Sequence, residues 1–536
     1  MTGIDSPRQA RRWMGMGATA LLATALAWPA EAQRIVLVMD PPSAETNRFW
    51  GTAGDFGLNP SMHSLIGHDP ETGVYDSSGL AESWEHNEDF TVWTFHLHPE
   101  AEFHFGWGPA TAADVVHSYE LHTQPESTLI GLGLMAGAEL EVVDDHTIRF
   151  HLPDPRPNYL FTHAGRGSMF VYSKAQYDEE GLEGYDEMPA GTGPLEYVER
   201  RVGEGVLFRR VDNHWSGQDV PYEELELRFV SEPSTKLAML LSGEGHIADL
   251  PRELHPDALG AGHQIISSTG PAMQTSILFN GMFTLPGDDV LNPDLPWLDV
   301  RIRQAINHAI DREAMLDVLY DGRAEPLARF AMDPRHEGYA PELEARFEAE
   351  YGFNPERAKE LLAEAGYPDA FAQPVIPIVS TVLPGNPEFG TMAELLQVFL
   401  DEVGFQTTIV EMDWASLTAQ RRAREAQLVH PMRNAPIRPT EIGLDTWYNS
   451  RGRPFNSFES ETVEALMEEF RQTLDPDARN ELAAQVFTEL FESYVDIPVA
   501  AVTTDIAINP EHIAGWTFPG VTSAGISHFH LIQPAQ

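Results

Sequence analysis

Apolar and polar residues alternate strictly from Thr91 to His98, with Trp93, Phe95 and Leu97 on one side and Thr94, His96 and His98 on the other. A period of two predicts a half-buried strand. The alternation returns from Thr147 to Leu152, where Ile148, Phe150 and Leu152 interleave with Arg149 and His151. Gly106, Gly108 and Pro109 break the chain between these strands, and Thr111 then opens a helical run with Asp114 in its first turn. Further on, Ile302, Ala305, Ile306, Ala309 and Ile310 recur at helical spacing and predict an amphipathic helix. Asn354-Pro355 and Gly366 frame another, with asparagine as N-cap, proline at the first position and glycine just past the end. Ala358, Leu361, Leu362 and Ala365 form its inner face.

The first residues follow a different pattern. Arg8, Arg11 and Arg12 precede the apolar run Met14–Ala27, and Ala30-Glu31-Ala32 supplies a small-x-small cleavage site. Residues 1–32 therefore read as a signal peptide, with the mature chain beginning at Gln33. Arg11-Arg12 fits either the twin-arginine or the Sec route. The run is too short to span a bilayer, and no other segment approaches the ~20 apolar residues a span needs. Direct membrane insertion is therefore not expected. The 536 residues contain no cysteine, which excludes disulfides, thiol chemistry and a lipidated cysteine anchor. An exported chain without an anchor fits a periplasm.

Charge excludes a class of partners. Against 82 acidic residues stand 34 basic ones, for a net charge of −48, and only Lys174, Lys236 and Lys359 are lysines. Such a surface repels nucleic acid and anionic lipid. Because the carboxylates are spread along the chain, and salt screens their field within ~10 Å, the acidity speaks of habitat rather than of ligand.

Several blocks carry a resemblance. They are Leu80-Ala81-Glu82-Ser83-Trp84-Glu85, Phe95-x-Leu97, Phe103-His104 and Thr111-Ala112-Ala113-Asp114-Val115-Val116, followed by Val300-Arg301-Ile302-Arg303-Gln304-Ala305, Ala309-Ile310-Asp311-Arg312 and Leu362-Ala363-Glu364-Ala365-Gly366-Tyr367. Together they resemble the family 5 extracellular solute-binding proteins, the peptide- and nickel-type receptors of ABC importers. Departures are local: Leu195 stands for a tyrosine after Gly-Thr-Gly-Pro, His214 for an aromatic residue and His246 for an aspartate. The resemblance implies an α/β fold, a two-lobed clamshell of the class II type with an additional α/β domain beside the first lobe. Carried over, lobe I comprises 33–76, 197–290 and 506–536, the additional domain 77–196 and lobe II 291–505. Gly191, Thr192, Gly193 and Pro194, a dense cluster of turn formers, are the expected hinge.

The implied function is capture of a ligand, a short peptide in the first instance, and its delivery to an inner-membrane ABC permease by a monomeric receptor without a cofactor. The same architecture accommodates an oligosaccharide, an opine or a nickel or other metal chelate. In peptide receptors of the family, an aspartate by a Trp-x-x-Asp-Tyr phrase holds the peptide ammonium. That phrase is missing from the stretch 433–448. Asp445 is the substitute anchor to test, while Arg433 and Arg438 suit a carboxylate or phosphate instead. Trp50, Asn280, Trp414, Trp447 and Tyr448 complete the candidate ligand-binding residues. A metal reading rests on His96, His98 and His104, but His104 matches a usual family position and His98 lies on a strand far from the expected cleft. No HExxH, G-x-S-x-G or glycine-rich phosphate loop is present, which leaves an exported hydrolase as a remote alternative and no catalytic residue to name.

Overall fold

The computed structural model describes residues 33–42, 45–47, 60–124, 127, 132–164, 169–283, 292–368, 375–381, 386, 388–452, 456–520 and 526–536. The expected signal peptide and Trp50 lie outside the described residues. Two large sheets and one smaller sheet organise the rest. The first large sheet has seven strands, in the spatial order Leu195–Arg201, Gly205–Arg210, Glu224–Phe229, Arg34–Met39, Ile247–Ala248, Asp505–Ile508 and Gln264–Ser267. Arg34–Met39 runs parallel to both its neighbours. Its Ile35, Leu37 and Met39 enter one core and its Val36 and Val38 another, so apolar residues cover both faces of the strand.

The second large sheet has six strands, in the order Glu325–Pro326, Asp496–Val502, Met273–Phe279, Val429–Asn434, Ile376–Ser380 and Thr407–Glu411. The amphipathic helix predicted around Ile302 spans Val300–Ala309, and Asp299 caps it by accepting from the Arg301 amide at 2.9 Å. The helix predicted after Asn354 spans Pro355–Glu364; Asn354 accepts from the Arg357 amide at 3.0 Å, and Gly366 takes φ +103° past its end. Both pack into the core of this sheet.

The smaller sheet orders Ala81–His86, Val92–Leu97, Thr147–His151 and Glu139–Asp144, all antiparallel. Trp93, Phe95, Leu97, Ile148 and Phe150 are buried in its core, the face their alternation predicts. Helix Ala112–His122 covers it, and Asp114 accepts from both the amide and the hydroxyl of Thr111 at 2.8 Å.

Among the described residues the chain passes between the two large sheets twice, at 268–272 and at 503–504. The passages run side by side: Ser268 N donates to Thr504 O at 2.9 Å, Thr504 N to Ser268 Oγ at 3.0 Å and Ala272 N to Val502 O at 2.9 Å. Two expectations change. The strand Met273–Phe279, assigned to lobe I by a boundary at 290, is a wholly buried central strand of the second sheet, held by a neighbour on each side, so the division falls at 268–272. The cluster Gly191–Pro194 does not cross between the large sheets; it joins helix Lys174–Glu187, whose Tyr185 packs in the core of the first sheet, to that sheet's strand Leu195–Arg201.

That joint is also pinned. His104 donates from its amide to Gly191 O at 2.9 Å and from Nε2 to Gly193 O at 2.8 Å. His214 Nε2 and Trp215 Nε1 both reach Thr192 O at 2.8 Å, and the Gly193 amide donates to Ser61 O at 2.9 Å. A Cβ on Gly191 would fall onto the Ser61 carbonyl oxygen, so glycine serves close approach here rather than freedom of motion.

Candidate functional site

Strand Val429–Asn434 lies antiparallel to Met273–Phe279 with Asn434 opposite Gln274 and Arg433 opposite Thr275. Its C-terminal end therefore sits beside the point where the chain has just crossed from the first sheet. The loop 435–439 that follows faces the same way, and prolines at 436 and 439 restrict its backbone. Two adjacent residues moor it. Arg335 Nη2 donates to Pro271 O on the crossing at 3.2 Å, and His336 Nε2 to Pro436 O in the loop at 2.8 Å. Just beyond, Glu441 accepts from Asn158 of the additional domain at 3.3 Å. The loop thus lies between the crossing and a contact with the additional domain, at the end of the second sheet that looks toward the first.

The candidates fall into three groups. Arg433 and Arg438 are half-buried at this end of the sheet. Arg433 Nη1 donates to Asn386 Oδ1 at 2.7 Å. The Arg438 amide closes a turn onto Ala435 O at 3.1 Å, while its guanidinium makes no hydrogen bond or ion pair among the described residues. Burial alone draws its pKa below the ordinary arginine value.

Asp445 is close in sequence but turned elsewhere. Helix Thr440–Tyr448 places Glu441 and Asp445 one turn apart, and Asp445 pairs with Arg471 of helix Glu461–Gln472. Burial raises the Asp445 pKa to about 6 against the pull of Arg471. As an ammonium anchor it would have to give up this partner first.

The third group is engaged within the second lobe. Tyr448 is fully buried and donates to Asp496, which also pairs with the fully buried Arg329; the Arg329 guanidinium carbon lies 4.7 Å from the Tyr448 ring centre. Trp447 is buried, and its Nε1 donates to Asn434 Oδ1 at 3.4 Å. Asn280 accepts at its carbonyl from Trp297 Nε1 at 2.9 Å and donates to Leu428 O at 3.2 Å. Trp414 opens helix Trp414–Arg422 half-buried against the second-sheet core. The histidines at 96, 98 and 104 do not converge, and among the described residues no group of three or more metal-ligating side chains could hold an ion.

Sequence reasoning missed a polar cluster at the crossing. Arg252 of the first lobe pairs with Asp505 and donates to Thr503 O at 2.8 Å, and its guanidinium carbon lies 5.5 Å from the ring centre of Tyr320 in the second lobe. Tyr320 Oη meets Thr275 Oγ1 at 3.2 Å. Burial raises the Glu388 pKa, opposed by Asn386, Arg252 and Arg433. No periodicity singles these residues out; only sheet register brings them together.

The comparisons with known proteins agree with this architecture. Residues 77–455 match the family described as bacterial extracellular solute-binding proteins, family 5 Middle. The heme-binding protein A of Haemophilus influenzae is 29% identical over 410 residues, 70% of this chain and 67% of that one. The dipeptide-binding protein of Escherichia coli is 26% identical over 376 residues, 66% of each chain. The matched stretch thus spans about two thirds of these relatives' length. The solved structure of HbpA2 from Haemophilus parasuis superposes with a TM-score of 0.76 at 23% identity, covering 94% of this chain and all of that one. Two large sheets joined by a pair of adjacent passages, a smaller domain beside the first and a family match over most of the length lead to one assignment: the chain belongs to the family 5 bacterial extracellular solute-binding proteins, with their two-lobed fold.

Proposed function

We propose that this chain is the periplasmic receptor of an ABC importer, that it captures a short peptide between its two lobes, and that it presents the closed form to an inner-membrane permease. The observation that carries the reading is the pair of adjacent passages at 268–272 and 503–504, the junction about which a change in the angle between the lobes would turn. A ligand that touches both lobes has greater affinity for the closed state and shifts the population toward it. No bond of the ligand need break. The peptide class is supported by the dipeptide-binding relative. The route to the periplasm is read from residues 1–32, and the receptor works as a monomer.

A thermal-shift screen tests this. Pools of di- and tripeptides, oligosaccharides, opines and nickel chelates are added to the mature chain, where a bound ligand at a hundredfold excess over Kd stabilises by about 2.7 kcal/mol. A rise with peptides is the expected result. A rise with a sugar or a chelate and none with any peptide pool overturns the peptide reading.

Arg433 and Arg438 favour a second reading in which the cargo is a non-peptide carboxylate such as an opine. The same screen separates the two.

A further inference from the structure

Arg438 is an anomaly in a chain with 82 acidic and 34 basic residues. Withdrawing a guanidinium from water is unfavourable unless it is paired and hydrogen-bonded. Three arginines near this loop have a carboxylate partner, Arg335 with Asp333 at 2.7 Å, Arg479 with Glu337 at 3.0 Å, and Arg471 with Asp445, while Arg433 is held by Asn386 Oδ1 at 2.7 Å. Those three carboxylates are committed to their own arginines. Its guanidinium is half-buried and has no hydrogen bond or ion pair among the described residues, on a loop moored two contacts away from the crossing. The partner it lacks inside the fold is an anion from outside. A planar fork of donors matches a carboxylate in two parallel hydrogen bonds.

We infer that Arg438 receives the carboxylate of the cargo, and that a bound peptide therefore lies with its C-terminal end against the loop 435–439. The inference rests on the proposed function for the cargo's being a peptide. It does not rest on it for the cargo's being an anion. Asp445 is engaged by Arg471 and would have to give up that partner to hold the ammonium end.

The test uses the mature chain, three tripeptide pools (free, C-terminally amidated and N-acetylated) and the variants Arg438→Gln and Arg438→Lys, with binding followed by calorimetry and by melting temperature. Loss of a charge-assisted bidentate contact should weaken binding about 10–100-fold. Amidation and Arg438→Gln should each produce that loss and together produce no more. N-acetylation should change affinity by less than about threefold, and Arg438→Lys should fall between wild type and Arg438→Gln. Arg438→Gln should melt no lower than wild type without ligand, which separates a lost contact from a damaged fold.

Equal binding of amidated and free pools by the wild type overturns the inference, and so does an Arg438→Gln loss that is the same for both pools. If no peptide pool binds, the peptide reading fails by itself. The anion inference is then decided on the opine pool: a stabilisation abolished by Arg438→Gln supports it, while a cargo with no anionic group overturns it.

Discussion

Arg329 and Arg438 are both arginines of the second lobe drawn away from water, and their surroundings are opposite. Arg329 is fully buried, pairs with Asp496 and lies over the ring of Tyr448, whose hydroxyl donates to the same aspartate. Arg438 is half-buried and has no counter-charge. The first closes a network inside the lobe, where a charge without its partner would destabilise the fold. The second has no such network among the described residues. The difference teaches that two arginines drawn away from water need not have the same role; whether a counter-charge lies within the fold separates them.

The sharpest way to break this comparison is to remove one member from each site. Asp496→Asn leaves Arg329 buried without its anion and should destabilise by about 3–5 kcal/mol in denaturant unfolding. Arg438→Gln should stay within about 0.5 kcal/mol of wild type in the same assay, because no internal contact is lost. Comparable losses at both positions would mean that Arg438 has an internal role after all.

The joint 191–194 offers the next contrast. Gly191→Ala drives a methyl into the Ser61 carbonyl and should lower stability by about 1–3 kcal/mol while leaving peptide affinity unchanged. An affinity change larger than the stability change would restore this segment as the moving hinge.

A pH experiment follows. His163 is fully buried among the rings of Phe95, Phe150 and Tyr159, and burial lowers its pKa from 6.5 to about 3. The unfolded chain therefore takes up this proton first on acidification, and stability is lost as pH falls from about 6.5 to 3. His163→Phe should flatten the acid limb by up to about 1.4 kcal/mol per pH unit across that window. An unchanged slope would show that the histidine is protonated in the folded chain.

The smallest effect has the opposite sign. The Asp445 carboxyl, with a pKa raised from 3.8 to about 6, binds its proton in the folded chain before the unfolded one does. This group makes the fold gain relative stability as pH falls from about 6 to 4. Asp445→Asn should remove that gain, at most about 1.4 kcal/mol per pH unit and less to the extent that Glu441 and Glu468 take over Arg471. A variant whose unfolding free energy keeps the wild-type slope between pH 4 and 6 would refute the assignment.

Much of this was readable from residue order where a local rule governs. The strands at Val92–Leu97 and Thr147–His151 alternate because each has one face on a core, and the helix at Pro355–Glu364 carries its own cap and stop. The strand Met273–Phe279 has no such signature: it is buried on both faces, so nothing in its pattern says to which sheet it belongs. Gly191-Thr192-Gly193-Pro194 and Ser268-Thr269-Gly270-Pro271 are nearly the same composition. What separates a pinned joint from a crossing is the company each keeps, His104, His214 and Trp215 in one case and Thr504 in the other. The site shows the same limit. Arg438 and Asp445 are seven residues apart, yet the phase of the helix turns Asp445 toward Arg471, which lies 26 residues further along.

Arg335 and His336 deserve a mechanical reading. One holds the crossing at Pro271 and the other holds the loop at Pro436, and a single peptide unit joins them. The crossing and the loop are thus tied to neighbouring residues of one segment. A change in the angle between the lobes that shifted Pro271 would act on the same short segment that holds the loop 435–439. If Arg438 holds the cargo as inferred above, grip and lobe angle would be coupled through that segment, and lobes forced apart by a permease would loosen the carboxylate in the same stroke.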